Sequence, residues 1–215
     1  MRRDAHLAEF ERLTGLLARM GRAAVAAIRQ ATAALLDGDD AAAAAAIGEH
    51  RQIADLHREV EELVPALLAR QQPVASDLRL VLAAIRMNAD MERMGALAGH
   101  IATVGVRSAP AVPPSARPVV TAMAEAAATL AEKSSVVLST RDPVAAMQLG
   151  LDDDVTDALN RQLFGLLTDD WREGTAAAVD LAMVGRFYER FCDHAVSVGH
   201  QVAYLVTGSV VIGRL

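Results

Sequence analysis

The run DLAMVGRFYERFCDHAVSVGHQVAYLVTG, Asp180 to Gly208, decides the fold. Its apolar residues Val184, Phe187, Phe191, Val198, Val202 and Leu205 recur in steps of three, four or seven, along one side of a helix with a period near 3.6. That side is expected to be buried. Glu189 and Asp193 stack one turn apart on a different face, with Arg186 a turn before and Ser197 a turn after. The helix therefore has a packing side and a polar side.

A weaker copy lies upstream. With Glu92-Arg93 of the run DMERMGALAGHIATV set on Glu189-Arg190, Ala98 falls on Ala195 and Ile101 on Val198, an offset of 97. Asp55-Leu56-His57-Arg58 aligns with Ala158-Leu159-Asn160-Arg161 at an offset of 103, so the second copy is six residues shorter between the landmarks. The difference falls in a loop, RQQPV at 70–74 against DWREG at 170–174. Two halves share one plan.

Aromatic residues make up only 3% of the chain while hydrophobic ones reach 53%, much of it alanine, a balance that packs helices closely and does not build sheets. The net charge of -6 and the lack of a Lys/Arg stripe argue against a grip on nucleic acid. The single cysteine, Cys192, cannot form an intrachain disulfide; it reads as a small buried thiol and fits a reducing cytoplasm. The N-terminal MRRDAHLAEFERL meets acidic residues where a signal peptide needs an apolar core, and no run approaches a membrane span. The expectation is a cytoplasmic protein that meets the membrane only through partners.

Helical periodicity runs from Asp4 to Asp37 through Leu7, Phe10, Leu13, Leu17, Met20, Val25, Ile28, Ala31 and Leu35, with Gly38 closing it and Asp39 capping the next helix. The second helix runs through Ile53, Leu56, Val60, Leu63 and Leu67 to about Arg70. Pro73 reads as an early residue of the third, which carries Leu78, Val81, Leu82, Ile85, Met91, Met94, Ala98 and Ile101. RSAPAVPPSARP, with four prolines, punctuates the halves. A fourth helix spans about Ala116 to Leu138, Asp142-Pro143 opens a fifth that runs to about Asp170, and Gly174-Thr175 opens the sixth, which ends at Gly208. The expected architecture is all-α, two tandem three-helix bundles of long antiparallel helices: a first repeat over 1–106, a linker at 107–118, a second repeat over 119–208 and a tail at 209–215.

Two acidic pairs share one spacing, Asp153 with Asp157 and Glu189 with Asp193. Antiparallel packing of the fifth and sixth helices would bring the four carboxylates together, and they repel unless a cation sits among them. All-oxygen ligation favours magnesium, manganese or iron over a structural zinc. Solvated faces partnered by Arg186, Arg190 and Arg161 account for the same spacing, and His194 and His200 lie near enough to add a ligand or to pack. The matching first-half positions are His50, Ala54, Glu92 and Ala96. Glu92 is there a stray carboxylate. None of the six histidines follows a glutamate by three residues, and the chain has no phosphate loop, Gly-x-Ser-x-Gly elbow or Cys-x-x-Cys.

The runs ARQQPVASDLR at 69–79, ADMERMGALAGHIA at 89–102 and YERFCDHAVSVGHQVAYLVTG at 188–208 resemble the PhoU family of phosphate-signalling regulators, its actinobacterial branch above all. The resemblance implies paired three-helix bundles in a cytoplasmic, non-enzymatic negative regulator acting between the phosphate ABC transporter, through its ATPase subunit, and a membrane sensor histidine kinase. It implies metal clusters in some members, on motifs matching Asp153, Asp157, Glu189 and Asp193 here, and frequent oligomers, a homodimer among them. The residues leave two other readings open: a metal-dependent hydrolase built on the same carboxylates, and a helical scaffold unrelated to phosphate.

Overall fold

In a computed structural model that describes residues 2–70, 75–107, 112–169 and 171–209, with the side chains of 2–6 and 70 set aside, the chain forms six helices. These are α1 (Arg2–Asp37), α2 (Asp40–Arg70), α3 (Ala75–Arg107), α4 (Arg117–Thr140), α5 (Pro143–Thr168) and α6 (Thr175–Thr207), and no strand occurs among the described residues. The expected position of Pro73, part of the linker and most of the tail lie outside the described residues.

Local chemistry accounts for the helix ends. Asp39 accepts from the amides of Ala41 and Ala42 at 2.9 and 3.0 Å. Asp142 does the same for Val144 and Ala145, with Pro143 in the first turn, where a missing N–H costs nothing. Gly38 and Gly208 take φ of 67° and 74°, the left-handed conformation that closes a helix. Trp171 donates from Nε1 to the carbonyl of Gly174 at 2.8 Å and fastens the turn between α5 and α6. Pro65 sits inside α2, which nonetheless continues to Arg70.

The helices pack as α1, α2 and α3 in one bundle and α4, α5 and α6 in the other, and α1 meets α4 while α3 meets α6. Across the α3–α6 seam Asp90 meets His194 and Ser197, His100 stacks on Phe187 at 5.3 Å, and Arg107 pairs with Asp180. Rising numbers on α3 meet falling numbers on α6, so the two run antiparallel. Under the offset of 97, Asp90 corresponds to Phe187 and His100 to Ser197. The Asp90–Ser197 and Phe187–His100 contacts are therefore one contact seen from both sides of a pseudo-two-fold axis. The duplication read from the sequence is built into the seam.

Small residues bring the backbones close. A Cβ on Gly105 would lie 2.4 Å from the Ala34 carbonyl oxygen and 2.7 Å from the Leu35 Cα, so α3 touches α1 main chain to main chain there. Val184, Phe191, Val198 and Val202 are buried as their spacing predicts, with Phe187 and Leu205 partly covered. Tyr188 is fully buried and shares a 3.0 Å hydrogen bond with Thr32 of α1, a contact between bundles that the apolar spacing does not reveal.

Some expected core positions are not in the core. Leu7, Leu78, Leu82 and Ile85 are exposed. On α3 the buried line runs through Val81, Ala84, Asn88 and Met91 and faces the neighbouring helices, while Leu78, Leu82 and Ile85 form a second line turned to solvent. Its apolar surface is wider than the contact it makes.

Candidate functional site

The four acidic residues singled out by spacing occupy one seam between α5 and α6. Asp153, Asp157 and Glu189 are half-buried and Asp193 is exposed at the rim. Burial, then the charges of Asp193, Asp157, Asp154 and Glu189, push the Asp153 carboxyl up to about 7. Desolvation, then Glu189 and Asp157, raise Asp193 too, while Arg186 and His194 pull it the other way. Like charges crowd where water is partly excluded, so each disfavours its neighbour's ionised form.

Glu189 is held on two sides. Asn160 donates to its Oε2 at 3.1 Å and Arg186 to the same oxygen at 2.5 Å. Asn160 fits because α6 has Gly185 opposite it: a Cβ there would lie 2.7 Å from Asn160 Oδ1 and 3.0 Å from a Leu163 methyl. The first repeat exchanges the pair, with His57 in place of Asn160 and Asn88 in place of Gly185, and Asn88 donates to the His57 carbonyl at 3.4 Å. In that repeat Glu92 lies 3.8 Å from its neighbour Arg93. His50 lies against Gly95 and Gly99, its ring atoms 3.3 and 3.5 Å from where a Cβ on each would stand.

The second-repeat seam offers only carboxylate donors, which suit a hard cation. Among the described residues no three His, Cys, Asp or Glu side chains are set together to hold a metal ion, so a cation here would have to draw the carboxylates inward. The histidines face elsewhere. His194 donates from Nδ1 to Asp90 at 2.9 Å, across to α3, and Ser197 donates to the other oxygen of Asp90 at 2.7 Å. His200 lies near Gly150 of α5, its Nε2 3.9 Å from where a Cβ would stand, and burial lowers its proton affinity. Cys192 is fully buried, Thr156 donates to its sulfur at 3.6 Å, and burial drives the thiol well above its ordinary range, so it is an inert packing group.

Asp90 and Asn160 escaped the spacing argument as functional residues. For Asn160 a signal existed, a polar residue at the landmark shared with His57. For Asp90 none did, because its partners come from the other repeat.

Paired three-helix bundles joined by a pseudo-two-fold seam define an internally duplicated, all-α protein. The PhoU domain model matches residues 17–104 and again 120–202, and the chain belongs to the PhoU family. It is 44% identical over 204 residues, 92% of each chain, to the "Phosphate-specific transport system accessory protein PhoU homolog 1" of Mycobacterium tuberculosis. It is 41% identical to that organism's homolog 2, over 96% of this chain and 99% of the relative. The crystal structure of PhoU from Pseudomonas aeruginosa superposes with a TM-score of 0.87 at 26% identity, covering 94% of this chain and 99% of that one. The relatives carry the names of accessory proteins. No helix among the described residues is long and apolar enough to cross a membrane.

Proposed function

We propose that this chain is an accessory protein of the phosphate-specific transport system, and that it works in the cytoplasm as a non-enzymatic adaptor. It links the transporter's ATPase subunit to a membrane sensor histidine kinase and holds the kinase in its repressing state when phosphate is plentiful. Near-full-length identity of 44% to a relative named for that system carries the reading. The exposed faces of long helices support it, since an adaptor needs surfaces and not a reaction centre. Deleting the gene should switch on phosphate-starvation reporters in high-phosphate medium; undisturbed repression in a clean deletion refutes the regulatory part. Failure to co-purify with either the ATPase subunit or the kinase cytoplasmic domain refutes the adaptor part.

A cation at the second-repeat seam belongs to the same proposal. Asp153, Asp157, Glu189 and Asp193 would hold it, and it would neutralise the repulsion that raises Asp153. Elemental analysis of protein purified without chelator tests this, and metal-free protein refutes it. Sedimentation analysis of the full chain decides whether a homodimer forms.

A further inference from the structure

The duplication gives the first repeat a seam of different chemistry. Against Asn160, Gly185 and Phe164 of the second repeat stand His57, Asn88 and Glu61 in the first, under the offsets of 103 and 97, while Glu92 keeps the carboxylate of Glu189. An imidazole, an amide and a second carboxylate thus enter one place together.

Their hydrogen bonding is incomplete on the inner side. His57 Nε2 faces Glu61 at 3.4 Å on the solvent side, where Glu61 is 62% exposed. A ring that donates from Nε2 turns a bare lone pair the other way, at Nδ1. His57 Nδ1 is buried and has no partner. Asn88, only 3% exposed, donates from Nδ2 to the His57 carbonyl at 3.4 Å, which fixes the sense of its amide, and its Oδ1 is likewise buried without a partner. Neither atom is within hydrogen-bond reach of the other, whatever the protonation of the ring, and each needs a third group.

The second repeat shows that side chains at these positions share one space. A Cβ on Gly185 would lie 2.7 Å from Asn160 Oδ1, and Asn160 Nδ2 reaches Glu189 at 3.1 Å. By the same placement the His57 ring lies against Asn88, and the carboxylate of Glu92, one turn beyond Asn88 on α3, is within reach of the ring. Among the described residues Glu92 meets only its own neighbour Arg93, at 3.8 Å, so it is free to turn.

A water molecule would supply two hydrogens to the orphaned atoms. A cation satisfies more of the arrangement, because Glu92 adds a charge and Glu61 already stands at the outer nitrogen, as carboxylates do behind metal-ligating histidines. Imidazole nitrogen with amide and carboxylate oxygen selects a borderline divalent ion, whereas the oxygen-only second-repeat seam suits a hard one.

We infer that His57 Nδ1, Asn88 Oδ1 and the Glu92 carboxylate form a binding site between α2 and α3 for a borderline divalent cation of the zinc, cobalt or nickel kind, with Glu61 orienting the His57 ring. Among the described residues no three His, Cys, Asp or Glu side chains are set together to hold a metal ion, so binding draws Glu92 inward and water fills the remaining positions. The site is separate from the second-repeat carboxylates, and it goes beyond the transport reading and stands without it.

The test uses the full chain, stripped with chelator and dialysed, and titrates it with cobalt(II), read by visible absorption, and with zinc, read by calorimetry. Asp153→Asn with Asp193→Asn serves as the background, so that the second-repeat carboxylates do not contribute, and it should bind one equivalent. Adding His57→Asn, which installs the residue the second repeat carries at this place, should abolish binding. Asn88→Ala should weaken it, and Glu61→Gln should weaken it about 10- to 100-fold. His50→Gln should leave it unchanged. In the parent protein, zinc should shift the nitrogen resonance of His57 Nδ1 and leave Nε2 protonated, a readout that a folding defect does not imitate. Cobalt bound by the parent but not by the background gives the ion to the second repeat and overturns the assignment. So does loss of binding in His50→Gln, which moves the ion along α2, or undiminished binding in His57→Asn. Absence of any bound ion, or an unshifted His57 resonance, leaves the two polar atoms to water and overturns it as well.

Discussion

Replacing Asp153 by Asn keeps the side-chain shape and removes one charge from the α5–α6 seam. The Asp153 carboxyl stands at about 7 in the folded chain, against 3.8 for the free group, through burial first and then Asp193, Asp157, Asp154 and Glu189. A raised folded-state value means that the folded chain holds this proton more tightly than the unfolded chain. Its contribution to stability is whole below about pH 4, declines as pH rises, and is lost above about pH 7. The full interval corresponds to about 4 kcal/mol. Because the group is only half-buried, solvent screening reduces this to about 1–2 kcal/mol. For a chain of this length, Asp153→Asn should then melt about 2–8 °C higher than the parent at pH 8 in the presence of a chelator. The gain should shrink as pH falls toward 4, and it should narrow at pH 8 when manganese or magnesium replaces the chelator. Calorimetric melts of both proteins across that range are the assay. A variant no more stable than the parent at pH 8 with chelator, or a gain of the same size at pH 4, refutes the crowding argument.

Gly105→Ala should cost about 3 kcal/mol, since the new methyl would meet the Ala34 and Leu35 backbone at 2.4 to 2.7 Å; an unchanged urea midpoint would mean that α1 and α3 are not in main-chain contact. Asp90→Ala removes the acceptor of both His194 and Ser197 and should cost about 2–3 kcal/mol by the same measurement, whereas the Arg93→Ala change on the exposed side of α3 should cost less than about 0.5 kcal/mol. Tyr188→Phe should lose about 1 kcal/mol with the Thr32 hydrogen bond and speed amide exchange on both sides of that contact. No change in exchange there would place the phenol outside the link between the bundles.

The helices and their ends were legible because they rest on local chemistry. Asp39, Asp142-Pro143, Gly38 and Gly208 act at the positions where capping and left-handed closure predict them. The repeat was legible too, since Glu92-Arg93 and Glu189-Arg190 hold equivalent places in helices of one kind. Periodicity alone overstated the core at Leu78, Leu82 and Ile85, because it reports how much of a helix is apolar and not how much its neighbours cover. The acidic seam was half legible. Spacing put Asp153 over Asp157 and Glu189 over Asp193, yet the roles of Asn160 and Gly185 depend on which helix faces which. Asp90 was beyond reach for the same reason: His194 and Ser197 lie more than a hundred residues along the chain.

The pseudo-two-fold seam leaves α2 and α5 on the far flanks of the molecule, each touching only its own bundle. Gene duplication thereby produced a body with two equivalent shoulders, and divergence since then has dressed them differently: small and polar on one, oily and acidic on the other. Such a body has two separate flanks whose surfaces are free to vary independently while the seam between them stays as it is.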